Sequence, residues 1–269
     1  MSRVITIFNQ KGGVGKTTTA MNLAAYLAFL GKKTLLIDFD PQFNATVGLG
    51  INNDSGETIY EALFSDKNIR EVIQPTYLSN LDVIPSSGNL AGAIIELANE
   101  ENREYYLKVA VDQIKDDYDF IFIDMAPSLS LLTINGLIAA NEVIIPVQCE
   151  YYSLEGLNQL LETLSLIKNN MGHDLKVGGA LITMYDKEKE VSRETAKQIR
   201  DRFPYYVFRN KIPRSSSLSE APSFSRPVIL YDPKSEGGKA YEELAKEIIS
   251  QGLKLSTVNP EFEIDSLSE

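Results

Sequence analysis

Val4-Ile5-Thr6-Ile7-Phe8-Asn9-Gln10-Lys11-Gly12-Gly13-Val14-Gly15-Lys16-Thr17-Thr18 stands near the start of the chain, and its reading decides the fold. Its first five residues are apolar, β-branched or aromatic, the pattern of a short buried strand. The glycines at 12, 13 and 15 let the backbone curl so that successive N–H groups converge on an anion. A good helix former follows, expected over residues 17–30, and a helix aims the positive end of its dipole at the same point. Lys16 adds a mobile charge suited to the β and γ phosphates of a nucleotide, and the Thr17 hydroxyl is placed to ligate Mg²⁺. Strand, glycine loop with Lys and Thr, then helix make residues 11–18 (Lys11, Gly12, Gly13, Val14, Gly15, Lys16, Thr17, Thr18) a phosphate-binding loop.

Outward from this loop the apolar runs continue. Residues 33–37 read as the next buried strand, ending at Asp38-Phe39-Asp40-Pro41, where proline stops regular structure. Further strands are expected at 81–84, 120–123, 143–147 and 177–182, and helices near 57–63, 101–115, 154–170, 193–202 and 239–251. Strands that are continuously apolar, not alternating, imply a mostly parallel sheet covered on both faces. The fold class expected is therefore α/β: a single P-loop NTPase domain with a twisted sheet and helices on both sides. It is expected to span residues 1–255, with 256–269, which carries Glu261, Glu263, Asp265 and Glu269, as a disordered acidic tail. About ten residues precede the phosphate loop, so no separate N-terminal DNA-binding module is expected.

The bulk numbers narrow the function. With 269 residues and 43% hydrophobic content, one sizeable core is expected. Cys149 is the only cysteine, so an internal disulfide and a multi-thiolate metal site within one chain are excluded. No stretch reaches the ~20 apolar residues of a membrane span, and the start resembles no signal peptide; a soluble, cytoplasmic protein is expected. The net charge of −11 argues against a polyanion partner overall. Residues 187–214, however, hold nine Lys and Arg against four Asp and Glu, a local excess of +5 that a phosphate backbone could use.

At Lys11, five residues before Lys16, the loop departs from an ordinary Walker A motif. Here the chain resembles the deviant Walker A ATPases, and within them the ParA/Soj partitioning family. The resemblance runs from Ile5 to about Ile249 and rests on residues 9–19, on Leu36-Ile37-Asp38-Phe39-Asp40-Pro41-Gln42-Phe43-Asn44-Ala45-Thr46, on Phe122-Ile123-Asp124, on Pro146-Val147-Gln148-Cys149-Glu150-Tyr151-Tyr152, on Ile212-Pro213-Arg214-Ser215 and on Leu218-Ser219-Glu220-Ala221-Pro222-Ser223. It implies ATP and Mg²⁺ as ligands and an ATP-bound sandwich homodimer in which Lys11 reaches the partner's phosphates. A cation beside a site that already has Lys16 is most useful in trans, like an arginine finger. The resemblance also implies non-specific DNA binding by the dimer, weak intrinsic hydrolysis, stimulation by a ParB-like centromere-binding partner, and association with the nucleoid.

Asp124 closes an apolar strand at the carboxyl edge of the sheet, where ligands bind in open α/β folds, and is the Walker B candidate for Mg²⁺. Asp38 and Asp40, two apart along a strand, are expected on one side; the resemblance gives Asp40 the attacking water and Asp38 support of Mg²⁺ or the loop. It also puts Met184 and Pro213 near the adenine and Arg214 on DNA. A second arginine that the family usually carries after the strand at 177–182 aligns with Glu188, leaving Lys187, Lys189 and Arg193 as the local cations, with Lys197 and Arg200 following on the same helical face. Where the family has Cys-Pro or Thr-Pro before Pro-Ser, this chain has Met125-Ala126-Pro127-Ser128. The single histidine, His173, is expected in an exposed loop. Competing readings are a MinD-like division regulator, disfavoured by the acidic and not basic amphipathic C-terminal end; an iron-protein reductase, disfavoured by the lone cysteine; and a ParA-like ATPase that positions a protein cargo.

Overall fold

The computed structural model describes residues 2–52, 56–65, 67–150, 153–251 and a short strand at 256–257. Eight strands form one sheet: β1 (Arg3–Ile7), β2 (Thr34–Phe39), β3 (Gln74–Pro75), β4 (Leu81–Ile84), β5 (Phe120–Met125), β6 (Glu142–Gln148), β7 (Lys176–Thr183) and β8 (Ser256–Thr257). Their order is β3-β4-β2-β5-β1-β6-β7-β8. The six inner strands run parallel, and only the edge strands β3 and β8 pair antiparallel. The helices are α1 (Lys16–Phe29), α2 (Asn44–Gly48), α3 (Ile59–Phe64), α4 (Ala93–Leu97), α5 (Tyr106–Asp112), α6 (Leu131–Ala139), α7 (Ser153–Met171), α8 (Glu190–Arg202), α9 (Ser216–Glu220), α10 (Val228–Tyr231) and α11 (Glu236–Ser250).

Period-two alternation sends neighbouring strand residues to two separate cores. Ile5, Ile7, Leu36 and Phe122 pack beneath α1 and α11, while Val4, Leu35, Ile37, Ile121 and Ile123 pack on the opposite face with α5, α6 and α7. Both faces are thus covered, as the continuous apolar strands imply. Strand β1 lies between β5 and β6, so the chain leaves it in one direction and returns to the sheet on the other side. That reversal opens a crevice at the carboxyl ends of the strands, and the glycine loop after β1 emerges into it.

Helix α1 is alanine-rich and buried over most of its length, which suits its central seat between sheet and α11. Gly15 enters it at φ 88°, a left-handed conformation that favours glycine, and Gly31 at φ 82° ends it. Side chains weld it to distant segments. The Thr19 hydroxyl is 3.0 Å from that of Tyr241 in α11, and Asn22 Oδ1 accepts the Val228 amide at 2.7 Å.

Several expectations shift. The helix expected at 101–115 contracts to α5, because its first residues form turns. Helix α6 has no counterpart among the helices expected from the sequence. Its sequence, Leu-Leu-Thr-Ile-Asn-Gly-Leu-Ile-Ala, is buried nearly all round and carries no amphipathic period. Gly136 allows it to approach β5, since a Cβ there would collide with Met125 Sδ at 2.0 Å. His173 is half-buried, not exposed, because its Nε2 lies 2.8 Å from the Ala140 carbonyl. Ser256–Thr257, placed in the acidic tail by sequence, pair with the start of β7, and the remainder of that tail lies outside the described residues. Among the described residues no helix is long and apolar enough to cross a membrane.

Candidate functional site

The loop after β1 sits where its sequence says an anion should go. Its three exposed residues, Lys11, Gly12 and Gly13, curl outward, and Val14 turns back into the core. The Thr183 hydroxyl at the end of β7 donates to the Val14 carbonyl at 2.8 Å and fixes the far side of the loop. Lys16 is buried, and its Nζ donates to the Lys11 carbonyl at 3.0 Å. Burial pushes the Lys16 ammonium below the ordinary lysine range, while the charges of Asp124 and Asp40 pull it back up. A cation held in this way is underpaired, which is the electrostatic condition for binding a polyanion. Lys11 is different. Its ammonium reaches outward to Glu150, and both side chains are about half exposed.

Three aspartates face this cation with unequal surroundings. Asp38 and Asp124 are register partners on β2 and β5. Asp124 is fully buried, and neither of its oxygens has a hydrogen-bond partner. Its carboxyl is held well above the usual range by burial first and by Asp38 next; the nearby Thr17 hydroxyl, short of hydrogen-bond geometry, and Lys16 oppose this. An orphaned buried carboxylate demands a partner. Asp38 is equally buried, but Oδ2 accepts both the amide (2.8 Å) and the hydroxyl (2.7 Å) of Thr46, and Oδ1 accepts the Asp40 amide at 3.3 Å. Burial nevertheless pushes it up to about 6. Asp40 lies one residue beyond the end of β2; its Oδ1 accepts the Gln42 amide and its carbonyl the Ser86 hydroxyl. It lines the cleft, whereas Asp38 is turned onto α2.

The Asp38–Thr46 pair carries a stability prediction. Thr46→Val preserves shape but removes one donor from a buried carboxylate and the hydroxyl that accepts the Ser86 amide at 3.0 Å, and is expected to cost about 2–3 kcal/mol. A urea titration followed by far-UV circular dichroism checks it.

Between the glycine loop and the segments 40–44 and 126–130 lies a cleft of about 610 Å³. Gly12, Gly13, Lys16, Thr17, Thr18 and Asp40 line it, together with Gln42, Asn44, Ala126 and Ser128. Sequence reasoning assigned no role to Gln42, Asn44 or Ser128, although the first two lie within the stretch Asp40-Pro41-Gln42-Phe43-Asn44. A smaller hollow of about 140 Å³ adjoins it at Gly15, Thr18 and Met184, walled by Ile212, Pro213, Arg214 and Ser215. Met184 and Pro213 are thus brought together. Met184 holds φ 50°, left-handed for a non-glycine residue, and the Tyr185 amide donates to the Ile212 carbonyl at 2.9 Å. Among the described residues no cluster of three His, Cys, Asp or Glu encloses a metal. Thr17 with one carboxylate is instead the sparse oxygen donor set of an ion that keeps its waters.

The basic segment is only partly free. Lys187, Lys189, Arg193 and Arg214 are all exposed. Arg193 donates to the carbonyls of Lys187 and Glu188, Lys189 lies 3.7 Å from Asp186, and Arg214 borders the hollow beside Pro213. Arg200 is committed to the carbonyls of Phe208 and Arg209.

The profile of a family described as an AAA domain matches residues 2–177. The chain is 49% identical over 253 residues to the sporulation initiation inhibitor protein Soj of Bacillus subtilis, covering 94% of this chain and all of that one. It is also 49% identical to the chromosome partitioning protein ParA of Myxococcus xanthus, over 93% of this chain and 89% of the relative. The chain belongs to the ParA/Soj family of partitioning ATPases. Solved structures agree in architecture. Cobyrinic acid a,c-diamide synthase from Mycobacterium smegmatis, solved with ADP and magnesium, superposes with TM-score 0.82 at 36% identity, covering 97% of this chain and 100% of that one. The cell division ATPase MinD of Pyrococcus furiosus does so with TM-score 0.76 at 25% identity, covering 93% and 99%. Of the stretches that carry the ParA/Soj resemblance, residues 9–19, 36–46, 122–124 and 212–215 contribute to the loop, the aspartate strands and the hollow beside Met184.

Proposed function

We propose that this chain is an ATP-driven switch for DNA partitioning. It binds ATP with Mg²⁺, closes into a sandwich homodimer, coats DNA without sequence preference, and lets go when a ParB-like partner stimulates hydrolysis. The observation that carries this reading is the underpaired Lys16 facing the orphaned Asp124 across a glycine cradle. Phosphates satisfy the first, and a hydrated cation the second. Mg²⁺, held by Thr17 and Asp124, would neutralise charge on the β and γ phosphates. The loop amides and Lys16 orient the phosphates, the hollow beside Met184 and Pro213 takes the base, and Asp40 orients the attacking water. Lys11, exposed and paired with Glu150, would leave that carboxylate for the phosphates of a second subunit. Lys187, Lys189, Arg193 and Arg214 supply the sequence-independent DNA contacts. The proposed setting is the cytoplasm, on the nucleoid.

The test is particle size and DNA binding measured with ADP, with ATP and with ATP on the Asp40→Ala protein, repeated across a salt series. ATP alone should produce the dimer and DNA binding, the variant should retain both for longer, and affinity should fall steeply with salt. DNA binding that ignores nucleotide, salt or Arg214→Ala sinks the reading.

A second prediction concerns the departure at Ala126. Proline there would restrict both itself and Met125, stiffening the cleft edge. Ala126→Pro is expected to change the hydrolysis rate more than the ATP affinity. Phosphate release and calorimetric titration read the two separately, and equal changes in both would refute it.

A further inference from the structure

On the outer side of α2, away from the aspartates, lies a groove of about 720 Å³. Val47 and Ile51 form one wall, Tyr77 from the β3–β4 turn another, and Phe224 and Leu230 the third. Tyr77 is 80% exposed, Phe224 60% and Val47 48%. Large apolar side chains gathered this openly mark a contact surface. The groove is built, not incidental. Phe224 is stacked on Tyr231 with ring centres 5.0 Å apart, and Gly50 (φ 73°) sits so tightly that a Cβ would meet the Ser225 carbonyl at 3.1 Å and the Tyr77 ring at 3.3 Å. Arg226 also lines it, exposed, with no side-chain partner among the described residues.

A segment of complementary chemistry lies in this same sequence, outside the described residues: Glu261-Phe262-Glu263-Ile264-Asp265. In an extended chain, alternate residues face opposite sides, so Phe262 and Ile264 share one face and the three acids the other. We propose that this segment, from a second copy of the chain, docks in the groove, with Phe262 and Ile264 against Val47, Tyr77 and Phe224 and the acids beside Arg226. Reach decides in favour of a second copy. From β8, where Thr257 pairs, to β4, beside Tyr77, the sheet order counts six strand steps, about 29 Å at the usual spacing. The five to seven residues from Thr257 to Phe262 and Ile264 span at most about 17–24 Å. Such a contact is head-to-tail and can propagate from copy to copy. It also bears on the nucleotide site, because one wall is α2 and the turn after it, and α2 carries Thr46, the partner of Asp38.

The probe is a fluorescent peptide of residues 258–269, titrated with the full-length chain and followed by anisotropy. Saturable binding is expected, weakened at least about tenfold by Tyr77→Ser and by Arg226→Glu. A peptide with Glu261, Glu263 and Asp265 replaced by lysine should prefer the Arg226→Glu protein over the parent, a reversal that misfolding cannot produce. In the full chain without nucleotide, a weak, concentration-dependent head-to-tail self-association, separate from the ATP-dependent sandwich dimer, is expected in sedimentation velocity, and the double variant Phe262→Ser, Ile264→Ser should reduce it. Absence of peptide binding up to about 1 mM, an affinity far below that of weak specific complexes, would overturn the proposal. So would binding indifferent to Tyr77 and Arg226, or self-association indifferent to the double variant.

Discussion

Asp40→Ala is expected to slow ATP hydrolysis by about 100-fold or more, the loss typical of a removed general base or water-orienting group, while ATP-dependent dimerisation persists. The asymmetry follows from its surroundings. The Asp40 carboxylate lines the cleft, tethered by the Gln42 amide, while its backbone is held independently by the Ser86 hydroxyl. Truncating the side chain therefore removes the group that would face the water and leaves the loop path intact. Asp124 and Thr17, the proposed cation ligands, are untouched. Phosphate release measured beside light scattering separates the two effects. Hydrolysis that stays within about tenfold of the parent would return the role to another residue, and simultaneous loss of the dimer would make Asp40 an architectural group and not a chemical one.

Lys16→Ala should act on binding. A cation truncated from a desolvated charge pair typically costs about 2–5 kcal/mol, so ATP affinity is expected to fall roughly 30-fold or more. In the free chain the Lys16 ammonium has one hydrogen bond, to the Lys11 carbonyl, and burial already works against its charge. Phosphate oxygens would supply the compensation it lacks. Without Lys16 the glycine amides remain, but the carboxylates of Asp124 and Asp40 lose the lysine charge that offsets them as the anion arrives. Calorimetric titration gives the affinity directly; a value within about threefold of the parent would show that the amides alone hold the nucleotide.

The sheet and the loop were legible because each rests on local pattern. Uninterrupted apolar runs announce strands buried on both faces, and the order strand, glycine loop, helix leaves little freedom in where an anion can sit. What escaped was set by contacts remote in sequence. Helix α6 is apolar all round, so periodicity has nothing to detect. His173 owes its partial burial to a carbonyl 33 positions away. Strand periodicity places Asp38 and Asp40 on one side, yet β2 stops at Phe39, and the two carboxylates diverge, one onto Thr46 and one into the cleft. The partner of Lys11 is Glu150, 139 residues distant. Arg200 belongs by spacing to the basic face of α8, and its guanidinium is instead tied to the carbonyls of Phe208 and Arg209.

The hollow beside Met184 draws its walls from residues 15 and 18, 183 and 184, 212 to 215, and 241. In the proposed role one small molecule therefore touches the first helix, the end of an inner strand and the last helix together, and acts as a removable cross-link across the length of the chain. By mass action a ligand at a hundred times its dissociation constant adds about 2.7 kcal/mol to stability. ADP, which carries the same base, would brace the chain there as well as ATP, and the nucleotide-free chain would be the one that opens more often to proteases.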